Sequence, residues 1–112
     1  MYYIYMLKCI DDSIYTGSAR DVKKRLKEHF TKDSKCAKYT RSHPPKEVVA
    51  VWRCETKSEG TRVEYYIKTL AKKQKENLYL NNEAPNSILE KLDGIVLTRI
   101  KDKDLEDIID FL

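Results

Sequence analysis

The sequence predicts an α+β fold in which a small three-stranded antiparallel sheet is flanked by helices, followed by a C-terminal appendage. The first ten residues are rich in aromatic and β-favouring side chains on both alternating faces, which is typical of a strand covered on both sides. After residue 20 the apolar residues recur every three or four positions, which indicates helices. At 112 residues, 41% of them hydrophobic, the chain supports one core, so we expect a single compact domain with a ββαβα order.

The first two elements are predicted strands that form a hairpin. Residues 2–10 make the first strand, and residues 11–13, two aspartates and a serine, supply turn-forming side chains. Residues 14–16 make a short second strand that ends at Gly17. An antiparallel hairpin of this kind places Tyr5 and Tyr15 on adjacent strands.

The first predicted helix runs from Asp21 to Phe30. Apolar residues recur every fourth position from Val22 onward, which gives one apolar stripe. Arg25 and His29 lie next to each other on one flank of that stripe, so we expect both at the boundary between core and solvent. The side chains that can cap its first amides are Asp21 and Ser18.

Residues 31–46 are predicted to form a long basic loop, because the Pro44-Pro45 pair interrupts any regular element. A loop of this length in a small domain is often functional. It contains Cys36 and the segment 37–41. The third predicted strand, residues 47–54, is again apolar on both faces.

The second long helix is predicted to begin near residues 56–58, where Thr56 and Glu59 match a capping box. Glu64 sits on the flank of its apolar stripe, which makes it a rim residue. A further basic helix covers residues 72–80. The members of the stripe are Val63, Tyr66, Ile67 and Leu70.

The last 32 residues differ in charge from the rest. Residues 1–80 hold 18 Lys and Arg against 10 Asp and Glu, a net charge of +8, whereas residues 81–112 carry −4. We therefore predict a domain over residues 1–80 and an acidic extension over 81–112 that packs on it, forms a homodimer or binds a protein partner. Within the extension we expect a helix over 85–92, a stop at Gly94, a strand over 95–100, and an acidic amphipathic helix. The apolar face of that last helix is Leu105, Ile108, Ile109 and Leu112.

Composition excludes several classes of protein. The longest uncharged apolar stretch, residues 2–7, is far shorter than the ~20 residues of a membrane span, and it lacks the flanks of a signal peptide. We therefore expect a cytoplasmic protein without a membrane partner. The three cysteines lack disulfide or zinc spacing and are expected to be reduced. The basic body suits a polyanion such as nucleic acid.

One set of residues has the chemistry for phosphodiester hydrolysis. Tyr5 and Tyr15 lie on adjacent strands, Arg25 and His29 follow on the first helix, and Glu64 lies on the second. An attacking water needs a base, the transition state needs a cation, and the leaving oxygen needs a metal or an acid. These residue types can fill those roles.

Four motifs in this order resemble the GIY-YIG nuclease domain, over about residues 2–80. They are Tyr3-Ile4-Tyr5, Tyr15-Thr16-Gly17 ten positions later, Arg25 with His29, and the helical Glu64. A closer resemblance is to the small stand-alone UPF0213 or YhbQ-like branch, in which Cys36 stands where glycine is frequent. The segments that carry this closer resemblance are residues 2–9, Ala37-Lys38-Tyr39-Thr40-Arg41 and residues 62–70.

The resemblance implies a role for each residue. In the family the tyrosine matching Tyr5 is proposed as the general base, and the one matching Tyr15 orients the water or phosphate. The residue matching Arg25 binds the scissile phosphate, with His29 assisting. Glu64 matches the sole protein ligand of one divalent metal, usually Mg²⁺, with Mn²⁺ as an alternative. Since a tyrosine with a pKa near 10 is only about one part in a thousand ionised at pH 7, Tyr5 needs a cation nearby, which Arg25 and the metal supply.

Further residues are expected to contact nucleic acid. The absence of a side chain at Gly17 lets the backbone approach a phosphate or turn sharply. An asparagine downstream of the glutamate completes some family sites, and Asn77 is the nearest match. The predicted nucleic-acid contacts are Gly17, Lys24, Lys38, Tyr39, Thr40 and Arg41.

The sequence thus predicts a metal-dependent endonuclease that hydrolyses DNA in one step, acting in DNA repair, recombination or processing. Two alternatives stay open. A nucleic-acid-binding module would keep the fold and the basic surface without cleaving, and a protein-binding module would act through the acidic C-terminal helix. The tyrosines also suit plain strand packing, and His29 beside Phe30 also suits a space-filling role in the core.

Overall fold

The centre of the molecule is a four-stranded antiparallel sheet with strand order β2-β1-β3-β4. A computed structural model describes residues 1–31 and 37–112. The strands are β1 (Tyr2–Cys9), β2 (Ile14–Ala19), β3 (Pro45–Cys54) and β4 (Thr98–Arg99). The helices are α1 (Val22–Phe30), α2 (Lys38–Ser42), α3 (Lys57–Lys68), α4 (Lys72–Asn81), α5 (Asn86–Lys91) and α6 (Asp102–Ile108).

The predicted α+β class with an antiparallel sheet flanked by helices is confirmed, and the three predicted strands form its core. The strand count was short by one. Where a strand was expected over 95–100, only Thr98 and Arg99 pair with β3, opposite Arg53 and Trp52. A pairing of two residues is too short to produce an alternating pattern, so the sequence could not show that it belongs to the sheet.

The first face of the sheet packs against α3. Alternate residues of a strand point to opposite faces, so Tyr2, Ile4 and Met6 of β1 share one side. They form a buried cluster with Val63 and Ile67 of α3. The apolar stripe read from the sequence is therefore the face of α3 that covers the sheet.

The second face packs against α1 and the end of the chain. Tyr5 and Leu7 of β1 form a buried cluster with Val22 and Leu26, the apolar stripe of α1. Ile100 is buried in the same cluster, and several side chains of the last helical segment are half-buried against it. Part of the acidic extension thus lies on the sheet. The predicted boundary near residue 80 stays a prediction.

Two helix starts follow the capping rules expected from sequence. Asp21 Oδ1 accepts a hydrogen bond from the Lys24 amide at 3.1 Å, so Asp21 rather than Ser18 caps α1. Thr56 Oγ1 accepts one from the Glu59 amide at 3.1 Å and caps α3. The longest helix in the described ranges has 12 residues, and none of the described helices could span a membrane.

The region predicted as a loop over 31–46 differs from the expectation. Residues 38–42 form the short helix α2, and β3 begins at Pro45, two residues before the predicted start at Glu47. A proline is tolerated as the first residue of a strand because its missing amide is not needed there. A five-residue helix has too few turns to show a periodic pattern. The expectation about Cys36 falls on residues 32–36, which lie outside the described residues.

Candidate active site

The candidate site lies along β2, an edge strand of the sheet. Tyr5 on β1 pairs with Gly17 on β2, which places both on the face covered by α1. Helix α1 carries Arg25 and His29 on that face. Helix α3 covers the other face, and its Glu64 reaches β2 from there through a hydrogen bond to Ser18.

Tyr5 is a buried residue whose hydroxyl contacts both His29 and Arg25. It is 1% exposed, and its Oη lies 2.7 Å from His29 Nε2. Burial is the main cause that raises the pKa of Tyr5 well above its usual value, and the neighbouring Tyr15 adds to it. The guanidinium of Arg25, which also hydrogen-bonds Tyr5, acts in the opposite direction but does not overcome burial. Tyr5 is therefore protonated at neutral pH.

His29 is fully buried, so the prediction that it lies at the boundary with solvent was wrong. The stripe of α1 indicated the face correctly, but α2 covers this side of the helix with Thr40. Since α2 has no sequence signature, the depth of His29 was not visible from the sequence. Burial, aided by the charge of Arg25, lowers the pKa of His29 to about 4.

The hydrogen bonds around His29 define its tautomer. Thr40 Oγ1 donates to the carbonyl of Ala37 at 3.1 Å, so its one hydrogen is used there. We therefore assign Thr40 Oγ1 as the acceptor from His29 Nδ1, which lies 2.8 Å away. With the proton on Nδ1, the neutral ring accepts at Nε2 from the Tyr5 hydroxyl. A chain of directed hydrogen bonds runs from Tyr5 through His29 to Thr40, and we call it the buried relay.

Arg25 stands beside the buried relay and is half-buried. Its Nη1 forms a 3.0 Å ion pair with Glu28, three residues along α1. Its positive charge acts to lower the pKa of both Tyr5 and His29. The rim position predicted for Arg25 is therefore confirmed, because its side chain is 27% exposed while that of Glu28 is 15% exposed.

Glu64 is the carboxylate of the site. Its side chain is 21% exposed, which confirms the predicted rim position. Ser18 Oγ donates to Oε1, and Lys68 Nζ lies 2.7 Å from Oε2. The Lys68 ammonium also lies 5.5 Å from the centroid of the Tyr15 ring. Lys68 therefore connects the carboxylate to the aromatic part of the site.

The donor set at Glu64 fits a hard divalent cation. Within the described residues no group of three or more His, Cys, Asp or Glu converges, so Glu64 has at most one further residue of these types beside it. Mg²⁺ is commonly held by one or two carboxylates, several waters and substrate phosphate oxygens. The carboxylate already accepts a cationic partner in Lys68, which shows that positive charge is accommodated there.

Gly17 is buried against Tyr5. A β-carbon at this position would lie 2.5 Å from Tyr5 Oη and 2.6 Å from Cζ. The missing side chain therefore makes room for the tyrosine ring. The packing of Tyr5 therefore explains why glycine stands at this position, without any contact to nucleic acid.

The other predicted nucleic-acid contacts divide by exposure. Lys24, Lys38 and Arg41 are exposed on α1 and α2. Tyr39 is 36% exposed and stacks on Tyr15, with ring centroids 5.5 Å apart. Thr40 is fully buried, so the structure gives it a partner in His29 rather than a place on the surface.

Asn77 lies apart from these groups. It is exposed on α4 and lines a cavity of about 220 Å³ with Gln74, Glu83, Ala84 and Pro85, none of which belongs to the candidate site. The expected completion of the site by Asn77 stays a prediction.

Sequence reasoning missed three contributors to the site. Ser18 was considered only as a helix cap, Thr40 only as a surface contact, and Lys68 not at all. The spacing of four residues between Glu64 and Lys68 on one helix is a signal from which this ion pair could have been predicted. The other two contacts join residues 46 and 11 positions apart and had no local signal.

Comparison with known proteins identifies the family of this chain. Residues 1–77 match the family described as the GIY-YIG catalytic domain. The chain belongs to the GIY-YIG family. Within it, the UPF0213 protein FN1575 of Fusobacterium nucleatum is 40% identical over 100 residues, which cover 89% of this chain and 95% of that protein.

Further relatives place this GIY-YIG protein in the UPF0213 group. The UPF0213 protein BH0048 of Halalkalibacterium halodurans is 44% identical over 77 residues, 69% of this chain and 80% of that protein. A solution NMR structure of the UPF0213 protein BH0048 from Bacillus halodurans covers 83% of this chain and 98% of that one, at 39% identity and a TM-score of 0.48. The family match and the curated relatives confirm the resemblance seen in the motifs, and they identify a nuclease family without naming a substrate or a metal.

Proposed function

We propose that this GIY-YIG protein is a metal-dependent endonuclease that hydrolyses DNA phosphodiester bonds. The observation that carries the proposal is the buried relay from Tyr5 to His29, with Arg25 beside it. Glu64 approaches the same edge strand from the opposite face. Arg25 and Glu64 both act electrostatically on Tyr5 and Tyr15, which supports a common site along β2, although the chain separates these residues by up to 59 positions.

The relay suggests how Tyr5 acts as a base despite its raised pKa. A tyrosine that keeps its proton can accept one from water only if it gives up its own. Tyr5 Oη lies 2.7 Å from His29 Nε2, and the lowered pKa of His29 keeps its ring neutral, so with the proton assigned to Nδ1 the Nε2 lone pair can receive the proton of Tyr5. Water therefore loses a proton to Tyr5 as Tyr5 loses its proton to His29. The hydroxide forms a bond to phosphorus while the P–O bond to the leaving nucleotide breaks, and the leaving alkoxide takes up a proton from solvent.

Two charged groups serve the phosphate. Arg25 is positioned to neutralise the phosphate oxygens as charge develops in the transition state. Glu64 would hold Mg²⁺ or Mn²⁺, and that ion, when bound, stabilises the phosphate charge and the leaving oxygen. The net charge of +8 over residues 1–80, with exposed Lys24, Lys38 and Arg41, supports a polyanionic substrate.

The test is a panel of labelled substrates. Single-stranded, duplex and branched DNA, with RNA alongside, are incubated with protein and Mg²⁺ or Mn²⁺, then with chelator. We expect chelator-sensitive nicking of DNA. Glu64→Ala is expected to abolish cleavage while sparing affinity, and Arg25→Ala to reduce both. Cleavage by Glu64→Ala at the wild-type rate would remove metal catalysis from the proposal.

The relay itself has a sharper test. Tyr5→Phe keeps the ring packed on Gly17 and removes only the hydroxyl, so we expect a normal fold and a loss of about 100-fold or more in cleavage rate. Tyr3→Phe, on the same strand, is the matched control and is expected to leave the rate unchanged. Equal rates in both variants would exclude Tyr5 as the base.

One observation favours a second function, nucleic-acid binding without cleavage. Tyr5 is 1% exposed, and both oxygens of Glu64 already have protein partners. If the substrate panel shows binding by gel shift and no nicking with either metal, this second function replaces the first.

The predicted role of residues 81–112 in pairing is tested separately. Ile88 and Ile100 are buried in the two cores, so deletion of the whole extension would disturb the fold. Light scattering on the full chain gives its mass in solution. A monomer mass at all concentrations would contradict the predicted homodimer.

A further inference from the structure

Lys68 occupies the cation position of the candidate metal ligand. Its Nζ lies 2.7 Å from Glu64 Oε2, within ion-pair distance, while Ser18 Oγ donates to Oε1. Both carboxylate oxygens of Glu64 therefore have protein partners. The side chain of Lys68 is 46% exposed, so it has room to move away while its backbone stays in α3.

A divalent ion cannot share this position freely with an ammonium group. Positive charges repel, and an ion bound at Oε2 would stand within a few ångströms of Nζ. Lysine has a flexible four-carbon stem and a compact charge, so it can leave one anion for another without a change in the helix. The nearby Tyr15 ring gives the ammonium a second favourable contact, at 5.5 Å.

We propose that Lys68 is a resident counter-ion of Glu64 that a divalent cation must displace, and that the freed ammonium then binds a phosphate of the substrate. The proposal rests on the proposed function, since it takes Glu64 as the metal ligand. Metal and polyanion then bind cooperatively. A phosphate that draws Lys68 away exposes the carboxylate to the metal, and by linkage the metal strengthens phosphate binding by the same factor.

The first experiment measures Mn²⁺ binding to the free protein by electron paramagnetic resonance, without nucleic acid. Lys68→Met removes the competitor, and we expect Mn²⁺ affinity to rise about fivefold, the upper range for a partly exposed ion pair. Lys57→Met, in the first turn of the same helix, removes an equal charge far from Glu64 and is expected to match wild type. Lys68→Arg keeps the charge and is expected to keep the competition.

The second experiment repeats the titration in the Tyr5→Phe background with a short DNA oligonucleotide, so that cleavage does not intervene. We expect the oligonucleotide to raise Mn²⁺ affinity when Lys68 is present. In the Lys68→Met variant the increase should be several-fold smaller. An equal increase in both would overturn the cooperative part of the proposal.

The controls separate this proposal from the proposed function. If Glu64→Gln abolishes Mn²⁺ binding while Lys68→Met binds as wild type does, Lys68 is not a competitor and the metal site stands. If Glu64→Gln binds Mn²⁺ as wild type does, the metal is not on Glu64, and the proposed metal site fails together with this inference. Thermal melts of each variant show that the changes do not come from unfolding.

Discussion

Replacement of Gly17 by alanine tests whether the missing side chain at this position is what allows Tyr5 to hydrogen-bond His29. The added β-carbon would lie 2.5 Å from Tyr5 Oη, about 0.9 Å short of the 3.4 Å at which ordinary contacts begin. The ring cannot yield easily, because Tyr5 is buried and its hydroxyl is bonded to His29 at 2.7 Å. A shift of this size would break that hydrogen bond.

Two quantities should change. Overpacking of a buried ring costs about 1–3 kcal/mol in the free energy of unfolding, measured by urea denaturation. If the buried relay acts in catalysis, a displacement of roughly 1 Å is expected to lower the cleavage rate by about 100-fold. Both measurements are made on protein that is folded at the assay temperature.

Gly60→Ala is the matched control. Its β-carbon would collide with the ring of Tyr2, on the opposite face of the sheet from Tyr5. Gly60→Ala should therefore have a lower free energy of unfolding but keep its activity. The loss of stability is reduced by about 1 kcal/mol, because alanine is favoured over glycine in a helix. Two results would refute this role of Gly17. One is a Gly17→Ala variant with the wild-type free energy of unfolding and the wild-type cleavage rate. The other is a loss of activity no larger than that of Gly60→Ala for the same loss of stability.

Three further predictions concern the groups around the buried relay. His29 has a pKa of about 4 in the folded protein against an ordinary 6.5, so the unfolded chain binds more protons between these pH values. The free energy of unfolding, measured by urea denaturation, should therefore fall by about 3 kcal/mol as the pH drops from 6.5 to 4. His29→Gln should remove most of this pH dependence. Thr40→Val leaves His29 Nδ1–H without a partner and should lower the free energy of unfolding by about 1–3 kcal/mol. Thr40→Ser keeps the hydroxyl and should be close to wild type. An unchanged free energy for Thr40→Val would mean that the hydrogen bond between Thr40 and His29 is not made. Asp11→Asn weakens the exposed pair between Asp11 and His43 that ties α2 to the β1–β2 turn. It should have little effect on the free energy of unfolding but accelerate amide hydrogen exchange in α2, and no change in exchange would contradict this anchoring role.

Local patterns in the sequence predicted the elements that build the site. The apolar runs of β1 and β3 and the four-residue spacing in α1 each depend on one element alone, as do the caps at Asp21 and Thr56. Patterns of this kind also place Arg25 and Glu64 on the flanks of their helices, where the structure has them. The motifs identified the family, because their order and spacing are themselves a property of the chain.

Tertiary structure decided what covers each face and which polar groups meet. His29 was expected at the boundary between core and solvent and is fully buried, because α2, a helix too short to show a periodic pattern, packs over it. The hydrogen bonds from Tyr5 to His29 and from Ser18 to Glu64 join residues 24 and 46 positions apart. Periodicity reports which side of an element is apolar, but the depth of a side chain and its partners depend on neighbours that only folding brings together.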